Sequence, residues 1–283
     1  MLILSYQLCD VFTDRPLSGN ALAVFTDARG LDENTMLALA REMNLSECAF
    51  VLPATTADAD ARVRIFTPAM ELPFAGHPVL GTAFVLAPEV SAETLLRLET
   101  ARGVVAVRLT PKAKGVPFGW MTQPLPREEP FGPQRELLAA LGLTRSGLPM
   151  TLYDNGPRHV QVELESPALV AALRPDLAQL AALGSLAVSV FARTPRGYKT
   201  RVFAPGEGIA EDPATGAAAG PLVLHLARHG RARFGDEVLI EQGEELRRPS
   251  LLHARVSGSL ERVERIEVGG QAVVIGKGEL RLP

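Results

Sequence analysis

Arg64-Ile-Phe-Thr-Pro68 returns as Arg201-Val-Phe-Ala-Pro205, and each copy is followed by a second matched unit, His77-Pro-Val-Leu-Gly81 in one case and Asp212-Pro-Ala-Thr-Gly216 in the other. The two matches lie 137 and 135 residues apart in a chain of 283, so the order strand, loop, helix occurs twice at half-chain spacing. Small and apolar residues follow both units, TAFVLA after the first and AAAGPLVLHLA after the second. Self-similarity in the same order and at a nearly constant offset marks a duplicated unit. The repeat predicts two topologically similar lobes.

In both units a polar residue precedes Pro, the pattern of an N-cap followed by the first helical position, where Pro's missing N–H costs nothing. His77 and Asp212 are thereby expected at two helix mouths. Helix N-termini present unpaired N–H groups and the positive end of the dipole, so two mouths on one interlobe cleft suit a small carboxylic acid. Read alone, Asp-Pro and His-Pro also serve as ordinary caps, although His caps poorly and titrates nearest neutrality. Pro221 removes the N–H that bonds to the Ala217 carbonyl, which predicts a kink or break in the second helix.

Around the repeat, alternating or β-branched runs predict strands at Leu2–Phe12, Ala21–Phe25, Cys48–Leu52, Arg62–Phe66, Gly103–Leu109, Val160–Leu164, Leu186–Phe191 and Leu251–Val256. Helices are predicted at Asp32–Met43, where Asp32 can cap, at Pro133–Leu141 before Gly142, and at Pro175–Leu183 before Gly184. The proline-rich stretch from Pro111 to Pro133 reads as a linker between halves, and Gly269–Leu280 as a closing hairpin.

Composition narrows the function. A net charge of −3 without a dense basic run gives no footprint for nucleic acid or an anionic membrane surface. No segment reaches ~18 uninterrupted apolar residues, and the N-terminus lacks the basic start of an export signal. With only Cys9 and Cys48, neither a disulfide framework nor a zinc site is supported; both are expected as small buried residues in a reducing cytoplasm. His159, His225, His229 and His253 show no metal-ligand spacing, although His225 and His229 share a helical face.

The segments CDVFTDRPLSGNALAVF (Cys9–Phe25), MNLSECAFV (Met43–Val51), RIFTPAMELPFAGHPVLGTA (Arg64–Ala83) and GIAEDPATGAAAG (Gly208–Gly220) resemble the PhzF-like isomerases of phenazine biosynthesis along the whole chain. The resemblance implies an α+β fold of the diaminopimelate-epimerase type, with two pseudo-symmetric lobes that are each a curled β-sheet or barrel around a central helix. It places the N-terminal lobe at residues 1–118 plus 271–283, the C-terminal lobe at 119–270, and the active site in the cleft between them. It implies no metal, nucleotide or other cofactor, and a homodimer. Glu47 matches the family's proton shuttle, and His77 and Asp212 match its pocket residues. Ser46, Gly76, Thr215, Gly216 and Ala217 fall in the matched substrate-binding segments. Ala217 stands where relatives commonly carry Ser, which leaves the backbone N–H and removes a hydroxyl.

An isomerase without a cofactor needs a side chain that takes a proton from one carbon and returns it to another. A Glu shielded from water has its pKa raised toward neutrality and serves as both base and acid. Glu47 is the expected shuttle, with the apolar Leu45, Ala49, Phe50 and Val51 beside it; read alone, a Glu between helix and strand suits a solvated loop residue. Mouth amides near Gly76 and Gly216 are expected to receive developing negative charge, and Asp212 an amino or hydroxyl group. Neither repeat unit contains Cys, which disfavours two-thiol racemisation. The alternatives are a carboxylate-binding protein of the same fold without catalysis, and a racemase or epimerase without cofactor.

Overall fold

The computed structural model describes residues 1–282; Pro283 lies outside the described residues. The first half runs through β1 (Leu2–Val11), β2 (Asn20–Phe25), α1 (Glu33–Met43), β3 (Glu47–Leu52), β4 (Ala61–Phe66), β5 (Glu71–Leu72), α2 (Gly76–Leu86), β6 (Thr94–Thr100), β7 (Gly103–Thr110) and β8 (Phe118–Gln123). The second continues with β9 (Arg127–Pro130), α3 (Gln134–Leu141), β10 (Thr151–Asp154), β11 (Arg158–Glu163), α4 (Pro167–Ala172), α5 (Leu177–Ala182), β12 (Ala187–Arg193), β13 (Tyr198–Ala204) and β14 (Ile209–Asp212). It ends with α6 (Gly216–Arg228), β15 (Glu237–Gln242), β16 (Ser250–Gly258), β17 (Val263–Gly270) and β18 (Ala272–Leu282).

Strand pairing repeats strand for strand. In the first lobe β2 runs parallel to β3, β3 antiparallel to β4, β4 antiparallel to β5 and parallel to β6, and β6 antiparallel to β7. In the second the same relations join β11 to β12, β12 to β13, β13 to β14 and β15, and β15 to β16. The repeated Arg-X-Phe-X-Pro segments do the same work twice. Arg64 forks onto Glu71 and lies 5.1 Å over Phe66, while Arg201 forks onto Glu211 at 2.8 Å and lies 4.9 Å over Phe203. Each pair ties the strand before the functional loop to the short strand after it.

Each sheet curls around one helix. Residues 76–85 of α2 and 216–227 of α6 are buried without interruption, so neither helix has a polar face. Such a helix is held by packing on every side; a fully buried Val, Leu or Phe contributes ~1.5–3 kcal/mol. Close approach is set by small residues: a Cβ on Gly81 would lie 2.7 Å from both Leu22 and Val11 side chains.

Several expectations are corrected. The stretch 111–133 is no linker: it contains β8 and β9, and β8 pairs with β7 on one side and β17 on the other, joining the two sheets. Its prolines stand mostly outside the strand, leaving β8's N–H groups free to pair. The glycine-rich C-terminal segment is no hairpin, since β17 pairs with β16 and β8 while β18 pairs with β1. Pro221 does not break α6, which runs unbroken from Gly216 to Arg228. The orphaned Ala217 carbonyl instead accepts a hydrogen bond from Asn155 Nδ2 at 3.0 Å.

Candidate active site

Helices α2 and α6 meet at their N-termini. A Cβ on Gly76 would lie 2.5 Å from Ala217 N, and one on Gly216 would lie 3.2 Å from Gly76 Cα, so only glycine allows the backbones this close. The N-cap residues are Ala75 and Thr215, neither of which makes a side-chain capping bond. His77 and Asp212 are therefore not the caps: His77 sits in the first turn of α2, and Asp212 closes β14 three residues before Thr215. Both N-termini keep their leading amides and positive dipole ends for the space between them.

That space is a cavity with about 30 Å³ of open volume, enough for one or two water molecules. Glu47, His77, Asp212, Gly76, Thr215, Gly216 and Ala217 all line it. A larger hollow of about 590 Å³ holds none of them. Lys199 in its wall is committed to Glu244 and Glu245 at 2.8 and 2.7 Å.

Glu47 reaches the cavity because α1 ends in Asn44, whose left-handed conformation (φ 49°) turns the chain into β3. It is 5% exposed. Burial, then the negative charges of Asp212 and Glu207, hold its carboxyl well above the usual carboxylate range. Its Oε2 faces His77 Nε2 across 3.4 Å, and among the described residues neither atom has another partner.

His77 is 2% exposed, and burial pushes its pKa down to about 3. Asn20 fixes its tautomer. Asn20 Nδ2 donates to Asp212 Oδ1 at 2.8 Å and Ala214 O at 3.0 Å, and the same amide nitrogen lies 3.1 Å from His77 Nδ1. An NH₂ group has no lone pair to offer, and flipping the amide would set oxygen against two acceptors, so Nδ1 must be unprotonated. The ring's proton is then on Nε2, the nitrogen that lies 3.4 Å from Glu47 Oε2.

Asp212, 4% exposed, has its pKa raised to about 6. Burial raises it, while donors from Thr215, Ser46 and Asn20 counter the rise. Thr215 Oγ1 donates to Asp212 Oδ2 at 2.6 Å. Gln242 on β15 steadies both, donating from Nε2 to Asp212 O at 2.8 Å and Thr215 Oγ1 at 3.0 Å while accepting from Thr215 N at 3.1 Å.

Asn20 in turn is placed by the loop between β1 and β2. Gly19 takes φ +66°, where a Cβ would strike Val11 O at 2.2 Å. Buried Asp10 accepts from Leu17 N at 2.7 Å and pairs with Arg248, whose Nε donates to Gly19 O at 2.9 Å. The loop is thus pinned to the second lobe.

Sequence reasoning missed Asn20, Gln242, Glu207 and His159. Asn20 lies inside the matched Cys9–Phe25 segment, which was the available signal. Glu207 occupies a 3₁₀ turn just after the repeated Arg-X-Phe-X-Pro segment, where it lines the cavity and accepts from Ser185 Oγ at 2.8 Å. Gln242 and His159 are brought in by strands that carry no local mark. Cys9 and Cys48 are buried free thiols outside the cavity, with pKa values pushed up to about 12 by burial.

Comparison with known proteins decides the family. The family model for phenazine biosynthesis-like protein, PhzC-PhzF, matches residues 9–278. The chain belongs to the PhzF family. It is an isomerase, as are its relatives. Trans-2,3-dihydro-3-hydroxyanthranilate isomerase of Pseudomonas aeruginosa is 48% identical over 277 residues, covering 98% of this chain and 99% of that one. The enzyme of the same name from Pseudomonas chlororaphis is 46% identical over the same length. Among solved structures, a PhzF-family protein of Bacillus anthracis superposes with a TM-score of 0.84 at 25% identity, each chain covered in full. A hydroxyproline epimerase from Agrobacterium vitis shares the fold, with a TM-score of 0.69 at 15% identity over 98% of this chain and 92% of that one. The α+β architecture of two lobes built around central helices is therefore that of the PhzF and proline-racemase-like proteins.

Proposed function

We propose that this PhzF-family isomerase acts on trans-2,3-dihydro-3-hydroxyanthranilate or a close relative of it, with Glu47 taking a proton from one ring carbon and returning it to another on the same face. The observation that carries the reading is the buried Glu47 carboxyl facing Nε2 of His77, in the first turn of α2, at 3.4 Å. His77 does not suit the base: its Nδ1 lone pair faces Asn20 and its Nε2 carries the proton, so it is a neutral donor that steadies Glu47 or the substrate. Glu47, its carboxyl held well above the usual carboxylate range by burial, suits a group that takes a proton up and gives it back.

The remaining groups suit an amino acid of this kind. Asp212 receives the amino group, and the converging amides at Gly76 and Gly216 receive the carboxylate and the charge that builds as the proton leaves. Thr215 and Ala217 complete the binding wall, and Ser46, outside the cavity lining, acts through its hydrogen bond to Asp212. No proton is gained or lost overall, so the side chains suffice to balance the reaction. The cavity as it stands has room for one or two waters, so the lobes part to admit a ring and close over it. The lobes are taken as residues 1–118 with 271–283 and residues 119–270; the β18–β1 pairing supports returning the last strand to the first lobe.

The 46–48% identity to named isomerases over nearly the whole chain supports the substrate. Two buried free thiols suit a reducing cytoplasm. The exposed Leu2 and Ile3 at one end of the β1–β18 ladder, and Val274 and Ile275 towards the other, offer separate apolar positions for a homodimer. No helix of the described residues is long and apolar enough to cross a membrane. The test is turnover of trans-2,3-dihydro-3-hydroxyanthranilate in heavy water by wild type and Glu47→Gln. Product carrying solvent deuterium from wild type and none from the variant supports the assignment; equal incorporation by both refutes it.

A further inference from the structure

His159 stands on β11, next to Ala187 of β12 in register, and is 1% exposed. It lines the same cavity as Glu47, from the C-terminal lobe. Among the described residues neither Nδ1 nor Nε2 has a hydrogen-bond partner. A buried polar group left unpaired is destabilising, and such groups in native proteins are rare enough to need an explanation. Its neighbours in the cavity wall, Pro157, Ala187, Val202 and Ala204, offer no polar side chain.

Of the other polar groups of that wall, Glu47 and His77 face each other across 3.4 Å and the rest are engaged. Asp212 and Thr215 hold each other and are held by Asn20 and Gln242, and Glu207 accepts from Ser185. His159, on the C-terminal lobe's side of the wall, keeps both ring nitrogens for what enters the cavity. Burial pushes its pKa down to about 3, so the ring is neutral and offers one N–H donor and one lone pair.

On the substrate class proposed above, the carboxylate is matched by the helix-mouth amides and the amino group by Asp212, which leaves the ring hydroxyl. A hydroxyl both donates and accepts, so it satisfies whichever nitrogen of His159 faces it. We infer that His159 is a specificity-determining residue that recognises the substrate's ring hydroxyl from the wall of the C-terminal lobe. This inference rests on the proposed substrate class, and Glu47 keeps its role whether or not His159 has this one.

The experiment compares 3-hydroxyanthranilate with anthranilate, stable aromatic probes that differ by the hydroxyl alone, in calorimetric titrations of wild type and His159→Leu. Wild type is expected to bind the hydroxylated probe about tenfold tighter, since a site built to bond a hydroxyl discriminates against the analogue lacking it. His159→Leu is expected to lose that preference while its affinity for anthranilate stays within about twofold of wild type. A variant that keeps the preference, or that weakens both probes alike, overturns the assignment. Wild type that binds neither probe overturns the substrate class and this inference with it, an outcome distinct from failure of the variant comparison. A second readout needs no substitution in the protein under test: in wild type labelled with ¹⁵N-histidine, the His159 ring resonances are expected to shift with 3-hydroxyanthranilate and stay in place with anthranilate. Equal shifts with both probes overturn the role.

Discussion

Helices α2 and α6 each begin with a glycine, lack a side-chain cap and touch at their N-termini, yet the groups around the two mouths differ in charge and in how they are held. At the α2 mouth a neutral imidazole faces a carboxyl that has no other partner. At the α6 mouth the carboxyl is saturated, with Asn20 and Thr215 on its two oxygens and Gln242 behind. A saturated carboxylate binds and a loosely held one exchanges protons, since bonds to the charged form pin its protonation state. Duplication supplies two similar helix mouths, and on the proposed function a few side chains then divide chemistry from recognition.

Removing the exchanging group should have the largest effect. Glu47→Gln keeps shape and removes the proton carrier, and turnover is expected to fall by about 10³-fold or more in steady-state assays. Substituting the saturated carboxyl should act differently: Asp212→Asn is expected to raise KM more than it lowers kcat, by roughly tenfold against threefold, because one amide replaces an acceptor for the amino group.

The same substitution tests the electrostatics. Asp212 has a folded pKa raised from 3.8 to about 6, so between these values the unfolded chain ionises while the folded one stays protonated. Stability from this group is full below pH 3.8 and lost as pH rises through about 6. Relative to wild type, Asp212→Asn should gain about 2–3 kcal/mol between pH 4 and pH 7 in urea titrations; a constant difference across that range would contradict the buried, raised carboxyl.

The contact between mouths can be broken directly. Gly76→Ala sets a Cβ 2.5 Å from Ala217 N, and forcing the helices apart is expected to cost about 1–3 kcal/mol, read as a lower denaturation midpoint. The smallest effect is expected from Asn20→Ala, about tenfold in kcat/KM, with a ¹⁵N-histidine spectrum showing that His77 no longer keeps its proton on Nε2 alone.

The duplicated architecture was legible because Arg64, Phe66, Arg201 and Phe203 perform the same bracing in both lobes, so the same letters had to recur. Glu47, His77 and Asp212 were legible from matched segments, and all three line one cavity. Their geometry was not. The tautomer of His77 depends on Asn20, 57 residues away, and the Asp212 network on contacts spanning 192 residues to Asn20 and 30 to Gln242. The misread linker has the same origin: prolines beside β8 signal loops locally, whereas strand formation there depends on β7 and β17 arriving on either side. The capping roles given to His77 and Asp212 failed because Pro78 and Pro213 mark different places, the first helical turn in one repeat and the loop before the helix in the other.

The most direct measurement of the shuttle uses substrate deuterated on its ring carbons and turned over in ordinary water, with label counted at the carbon that receives the proton. A single buried carboxyl returns part of what it takes, so product from wild type is expected to keep a measurable share of that deuterium in the first turnover. Complete replacement by solvent hydrogen in a single turnover would contradict transfer by Glu47 alone.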